Sequence, residues 1–420
     1  MHPFIELIQA DMIPALGVTE PGCIALAVAT AKSYLKSQPE KVFLSLNSGL
    51  YKNAYTCGIP NSSHYGIKYA AAFGAIMADP EKGLQSLEGI TQEHDLLAEQ
   101  FVQENRVMVQ LSSISSALYC QATVYAKEQI CVVTIEQSHT QITSIMLNGR
   151  CIYEKAVQKE GNKSALIHNY SIQEILETLP SFSEADLSFL QSAFDMNLSL
   201  FNEGLKSHKT VILHQLYRMN ENTIFSADVK KSASLLCNGA IEARVLGLSA
   251  PAMSITGSGA HGIIATLPLY AYFSIEKCTK LQLYQATLLS YLVCMYIKEY
   301  SGKLSAFCGC AIAAGTGMAC GLVYLQKGSK EQIDMVIRNM ASSITGMICD
   351  GGNHGCVMKG IAAVDIAFES AQLAMANVSI ESIHGINGTT IEDTLKNMGQ
   401  IADPGMKQTE NTIVDILEGK

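Results

Sequence analysis

Between residues 304 and 325 the chain carries no charged side chain. A run of that length is long enough to cross a bilayer as a helix. Its content points elsewhere, because it is built from Gly, Ala, Ser, Thr and Cys with few large aliphatic residues. Small residues suit a helix packed closely against other helices in a protein core. The run belongs to a wider region, residues 232–374, in which charge is thin and Gly and Ala are frequent. Helices that are apolar nearly all round are enclosed by other helices. The expectation is therefore a large helical body whose central helices never meet solvent.

Around this body the patterning changes. Phe4, Ile5, Ile8, Met12 and Ile13 keep a helical period as far as Pro14, and a second helix is expected over residues 22–35. Between them, Gly17-Val18-Thr19-Glu20-Pro21-Gly22 reads as a turn before a helix start. Thr19 or Glu20 would cap that helix, with Pro21 in its first turn. The free N–H groups there offer an anion site for a substrate, and a simple capped helix start accounts for the motif equally well. Residues 42–47 read as a strand, followed by Tyr51-Lys52-Asn53 and a turn at Cys57-Gly58-Ile59-Pro60. Residues 69–77 return to small-residue helix. Composition shifts near Glu88. A charged helix is expected over residues 93–104, then strands near 107–111, 120–125 and 130–136. Two further runs flank Asn148-Gly149, a hairpin signal. Residues 88–165 thus read as a small α/β module, inserted into a mainly helical catalytic domain made of residues 1–87 and 166–420. The expected fold class is α+β.

Composition removes several function classes. With 48% hydrophobic and 16% charged residues in 420, disorder is excluded as the main state. A net charge of −9 disfavours partners that present phosphates, so neither nucleic acid nor an anionic membrane is expected. Trp is absent, which removes the best stacking platform for single-stranded bases. Thirteen cysteines are an odd number without the spacing of a small disulfide scaffold. The N-terminus, Met1-His2-Pro3-Phe4-Ile5-Glu6, has an acid early and no basic segment, unlike a secretory signal. The expected location is the cytoplasm, where thiols stay reduced.

Three of the cysteines stand out. Cys310 lies in Phe307-Cys308-Gly309-Cys310-Ala311, and Cys349 and Cys356 bracket Asp350-Gly351-Gly352-Asn353-His354-Gly355. Thiolates are soft ligands that favour zinc or iron–sulfur centres. The spacing matches no standard zinc or ferredoxin pattern, and buried cysteines flanking a turn would also explain it. Cys308 and Cys320 read as packing residues. His261, His354 and Lys359 are the candidates for a general base. Thr256, Ser258 and the backbone of residues 257–262 could hold a carboxylate in a nest of N–H groups. Lys52 and Asn53 could do likewise. A tight turn and a solvated surface pair are the plainer explanations of these two groups. The loops Gly257-Ser258-Gly259-Ala260-His261-Gly262 and Gly351-Gly352-Asn353-His354-Gly355 echo each other, too briefly to establish a repeat.

Several motifs fall in order along the chain. They are Ala15-Leu16-Gly17-Val18-Thr19-Glu20-Pro21, Tyr51-Lys52-Asn53 with Gly58-Ile59-Pro60, and Gly257-Ser258-Gly259 with His261-Gly262-Ile263. Gly309-Cys310-Ala311, Met347-Ile348-Cys349-Asp350-Gly351 with Cys356, and residues 399–406 complete the set. In these the chain resembles the L-cysteine desulfidase family, which is related to the alpha chain of iron–sulfur L-serine dehydratases. The resemblance implies a [4Fe–4S] cluster held by Cys310, Cys349 and Cys356, with one iron free of a protein thiolate and able to act as a Lewis acid. It implies a small amino-acid substrate, and is compatible with a homo-oligomer. The implied reaction eliminates sulfide from L-cysteine and yields pyruvate and ammonia; L-serine dehydration by the same mechanism is the alternative. One position departs from the family. Val18 stands where members usually carry a Cys, a candidate fourth ligand or base. Cys23 follows five positions later, about one and a half helical turns on, and would face another way. A non-catalytic relative that binds a cluster or an amino acid is therefore a further alternative. A pyridoxal-phosphate lyase is disfavoured, since no convincing Schiff-base lysine is present.

Overall fold

The computed structural model describes residues 2–156 and 166–420. The charge-free run lies where its composition requires. Residues 304–309 of the run are irregular; it then enters a π-helical turn, Cys310–Ala314, and continues into the helix Gly315–Leu325. Around it pack the helices Gly259–Glu276, Lys280–Ser301, Lys330–Ile344 and Cys356–Met375. Small residues make this possible: a Cβ added at Gly317 would stand 2.2 Å from the Ser290 carbonyl oxygen. Apolar side chains from these helices and from Val229–Val245 form one continuous core. Among the described residues no helix is long and apolar enough to cross a membrane.

A six-stranded mixed sheet forms the second layer, and the fold is α+β and mainly helical. Strands Tyr119–Ala126, Gln129–Glu136, Ile142–Leu147 and Arg150–Glu154 form an antiparallel meander. Its last turn is the expected one, with Asn148 and Gly149 both at positive φ. The structure redraws the edge of this module. Lys41–Asn47 is the second strand of the same sheet, parallel to Val107–Ser113 and antiparallel to Tyr119–Ala126. The helices Thr19–Ser33 and Ile67–Ile76 share a hydrophobic core with the sheet, from Cys23 and Val28 to Val124 and Ile135. Much of residues 19–87 thus belongs to the sheet layer rather than to the helical body. Residues 157–165, which close the expected module, lie outside the described residues.

Two short strands tie the layers together. Ile13–Leu16 pairs antiparallel with Pro251–Ser254 in a two-stranded ribbon. The first helix ends at Asp11, before this strand. The ribbon brings the start of Thr19–Ser33 beside the loop that opens Gly259–Glu276. That helix starts three residues earlier than the periodicity suggests. Val18 occupies the cap position without a side-chain cap bond, and Thr19 and Glu20 are the first helical residues. Their side chains serve other partners.

Candidate functional site

The thiols are brought together by backbone pairing. Phe307 and Ile348 form an isolated β-bridge, the Cys308 N–H donates to the Met347 carbonyl at 3.0 Å, and the Cys349 N–H donates to the Ala306 carbonyl at 2.6 Å. Cys310 opens the π-helical turn, and Cys356 is the first residue of Cys356–Met375. The Cys356 thiol donates to the Gly351 carbonyl at 3.4 Å. Cys308 is not merely a packing residue. A hydrogen bond with Cys310 draws its thiol down to about 7 against burial, helped by the Ala311 N–H and the charge of Lys359. The same bond and burial push Cys310 up. Burial, with the neighbouring Cys349, pushes Cys356 up to about 12. Cys310 feels Cys308, Cys349 and Cys356 as negative charge, and Cys356 feels Cys349 and Cys308, so these thiols lie near one another. Among the described residues no three His, Cys, Asp or Glu side chains are grouped so as to hold a single metal ion. An iron–sulfur cluster takes each thiolate on a different iron, so its ligands stand further apart than those of one ion. The donor chemistry here, soft thiols with a lysine beside them, fits such a group.

The three candidate bases have different settings. His261 is buried in the first turn of Gly259–Glu276. Its Nδ1 lies 2.5 Å from Thr256 Oγ1. Its Nε2 lies 2.6 Å from the point where a Cβ on Gly309 would stand, and Lys298 Cδ lies 3.0 Å from it. Only glycine fits between these side chains, next to Cys310. Burial, together with the charges of Lys298 and Arg244, holds His261 well below the usual imidazole range. It is therefore neutral at pH 7, with a ring nitrogen able to accept a proton. His354 is turned outward, its side chain 43% exposed, and donates to Glu242 Oε1 at 2.6 Å. Glu242 in turn accepts the Ile212 and Leu213 N–H groups at the start of helix Val211–Met219, so His354 anchors its loop to that helix end. Lys359 pairs with Asp350. Burial lowers its affinity for the proton, but Asp350 and the thiols raise it further. It is a fixed positive charge beside Cys308, Cys349 and Cys356, rather than a base.

The expected binding residues also divide. Lys52 is no solvated surface residue: it is buried, paired with Glu410 at 2.7 Å, and donates to the Ser305 carbonyl at 3.1 Å. Its ammonium is engaged within the fold. Asn53 lies at the thiols, donating to Glu20 Oε1 at 2.8 Å while its own Oδ1 accepts from the Cys349 thiol at 3.8 Å. Thr256, at positive φ, donates its N–H to Asp11 and supports His261. Ser258 caps Gly259–Glu276 without a side-chain cap bond. Val18 touches the thiol loop: a Cβ on Gly352 would lie 2.8 Å from Val18 Cγ1. Cys23 does not take its place, since it is buried against the sheet in contact with Cys120.

Two charged residues at this site escaped the sequence reading. Glu20, read there as a cap, is buried and accepts from Thr19 and Asn53, with His139 Nε2 at 3.6 Å. Burial would raise its pKa, but His139 and Asn53, aided by Arg244, hold it at about 2. Arg244 is buried near the end of Val229–Val245, against Gly259. The available signal was a charged residue close to a run of Ala, Leu and Gly in the same helix.

The comparisons with known proteins extend over the same ground. The family model for the serine dehydratase alpha chain matches residues 81–415. A UPF0597 protein of Clostridium botulinum (strain Langeland) is 38% identical over 98% of this chain and 97% of its own length. UPF0597 proteins of Clostridium tetani and Clostridioides difficile are 33% and 31% identical, each over 98% of this chain and at least 97% of their own length. The chain belongs to the serine dehydratase alpha-chain family.

Proposed function

We propose that this chain is a lyase that removes the β-substituent of a small α-amino acid, sulfide from L-cysteine or water from L-serine, giving pyruvate and ammonia. One observation carries the reading: the neutral, buried His261 abuts Gly309, next to Cys310, in a site where Cys310, Cys349 and Cys356 sense one another's charge. Such an elimination needs a base for the α-proton and a sink for the departing group. In this reading His261 Nε2 accepts the α-proton, while Thr256 at Nδ1 holds the ring. Cys310, Cys349 and Cys356 would hold a [4Fe–4S] cluster. When bound, that cluster supplies a Lewis acid for the departing sulfur or oxygen. Lys359 offsets part of the negative charge the thiolates carry, and Asn53 links the Cys349 thiol to Glu20. All thirteen cysteines are free thiols, which supports a reducing compartment such as the cytoplasm.

The test is pyruvate release from L-cysteine and from L-serine, after anaerobic reconstitution with iron and sulfide. Release that disappears in Cys349→Ala, together with loss of bound iron, is the expected result. Iron bound by Cys310, Cys349 and Cys356 without pyruvate from either amino acid would overturn the lyase reading. It would leave an amino-acid or cluster binder in which Val18 has replaced the reactive thiol.

A further inference from the structure

Arg244 is a charge without a partner. It is 4% exposed, its Nε finds no hydrogen bond, and among the described residues it enters no salt bridge. A guanidinium buried with Nε unpaired is strongly disfavoured. Proteins keep such a group when something else completes it. Arg244 lies across the start of Gly259–Glu276, with Nε 2.7 Å from the point where a Cβ on Gly259 would stand. That helix start is itself unsatisfied. Ser258 makes no side-chain cap bond, and the first internal bond there runs from the Gly262 N–H to the Ser258 carbonyl. The N–H groups of Gly259, Ala260 and His261 are thus left without helical acceptors, as at any helix start. A guanidinium packed against a helix N-terminus brings together two groups that favour an anion.

Glu20 supplies the complement. Its carboxylate is buried, and Thr19, Asn53 and His139 occupy only part of its acceptor capacity. Glu20 and Arg244 feel each other electrostatically, yet they form no salt bridge. Building on the lyase reading, we propose that the two together are a receptor for a free α-amino acid. Arg244 and the start of Gly259–Glu276 take the α-carboxylate, and Glu20 takes the α-ammonium. Asn53, bridging Glu20 and Cys349, then directs the β-substituent towards the thiols, with the α-carbon beside His261. The arrangement selects for a zwitterion, so amines and hydroxy acids should bind far more weakly.

Three probes separate the two ends. L-Serine carries both charges, 3-hydroxypropanoate lacks the ammonium, and ethanolamine lacks the carboxylate. Their affinities are measured by calorimetry on the full chain as purified, and as inhibition constants on the reconstituted protein. Arg244→Gln should weaken L-serine and 3-hydroxypropanoate by about tenfold or more, with ethanolamine unchanged. Glu20→Gln should weaken L-serine and ethanolamine and spare 3-hydroxypropanoate. Arg244→Lys should restore part of the loss. Arg244→Met should raise the melting temperature of the ligand-free protein, because it removes an unpaired buried charge; a structural arginine would do the opposite. The proposal fails if wild-type protein binds no L-serine, if Arg244→Gln leaves its affinity unchanged, or if all three probes weaken alike. Pyruvate release with an unchanged KM in Arg244→Gln would remove the receptor and keep the lyase. Arg244-dependent binding without pyruvate would do the reverse.

Discussion

The two glycine-rich loops read almost alike in sequence and differ in how their histidines are buried and partnered. In the first, residues 256–262, the histidine is buried and neutral and the backbone lies against Arg244 and His139. In the second, residues 350–356, the histidine is half exposed and hydrogen-bonded to Glu242. Each loop has a His–Glu pair beside it: His139 with Glu20 at the first, His354 with Glu242 at the second. On the proposed function the first loop would supply the proton chemistry, while the second carries the thiols Cys349 and Cys356 at its ends. A Gly-X-His pattern marks only where backbone can approach closely. What the histidine does is set by the element behind it, a buried helix start in one loop and a surface turn in the other.

The largest expected difference is in stability. A Cβ on Gly262 would stand 1.9 Å from the Met253 carbonyl oxygen, part of the strand that ties the layers together. Backbone cannot move aside there cheaply. Gly262→Ala should destabilise by about 3 kcal/mol, the top of the usual overpacking range. In the second loop a Cβ on Gly355 meets only the end of the Asn353 side chain, at 2.8 Å, and Gly355 already has helical φ and ψ. Gly355→Ala should cost less than about 1 kcal/mol. Paired urea melts of the two variants decide it; equal losses would mean the loops are packed alike.

Next comes the histidine pair. His261→Gln should lower kcat for pyruvate release by about a hundredfold or more, the usual contribution of a general base. His354→Gln should stay within a few-fold, provided rates are normalised to bound iron. The reverse order would move the base to the thiol loop and undo the contrast drawn between them.

The reach of the sequence follows from the same contrast. The buried helices were legible because a long run without charge leaves few other folds open. The thiols were legible because three cysteines beside glycines are an unusual composition. Partner choice over long separations was not. Lys52 reads as a surface residue until Glu410, 358 positions away, is seen to neutralise it. The strand Lys41–Asn47 has the right alternation, but nothing local says that it enters a sheet made mostly of residues 107–154. Glu20 and Arg244 were missed for a related reason. Each charge is visible in its helix, but its role depends on what it faces: His139 and Asn53 for Glu20, another helix start for Arg244.

Val18 gives the smallest and most discriminating change. It is buried, and its Cγ1 presses on Gly352 in the second loop. It is thus an apolar contact between the start of Thr19–Ser33 and the thiol loop, beside the polar link from Glu20 through Asn53 to Cys349. Val18→Cys removes little volume, so stability should fall by no more than about 1 kcal/mol. The new thiol would face the loop between Cys349 and Cys356, with Lys359 close enough to those thiols to raise its own proton affinity through them. The expected outcome is slower loss of iron in air, followed by iron content per chain over time, with the melting temperature nearly unchanged. If iron loss is unaltered and only stability shifts, position 18 is a packing contact alone, and the second loop holds its group with the thiols it already has.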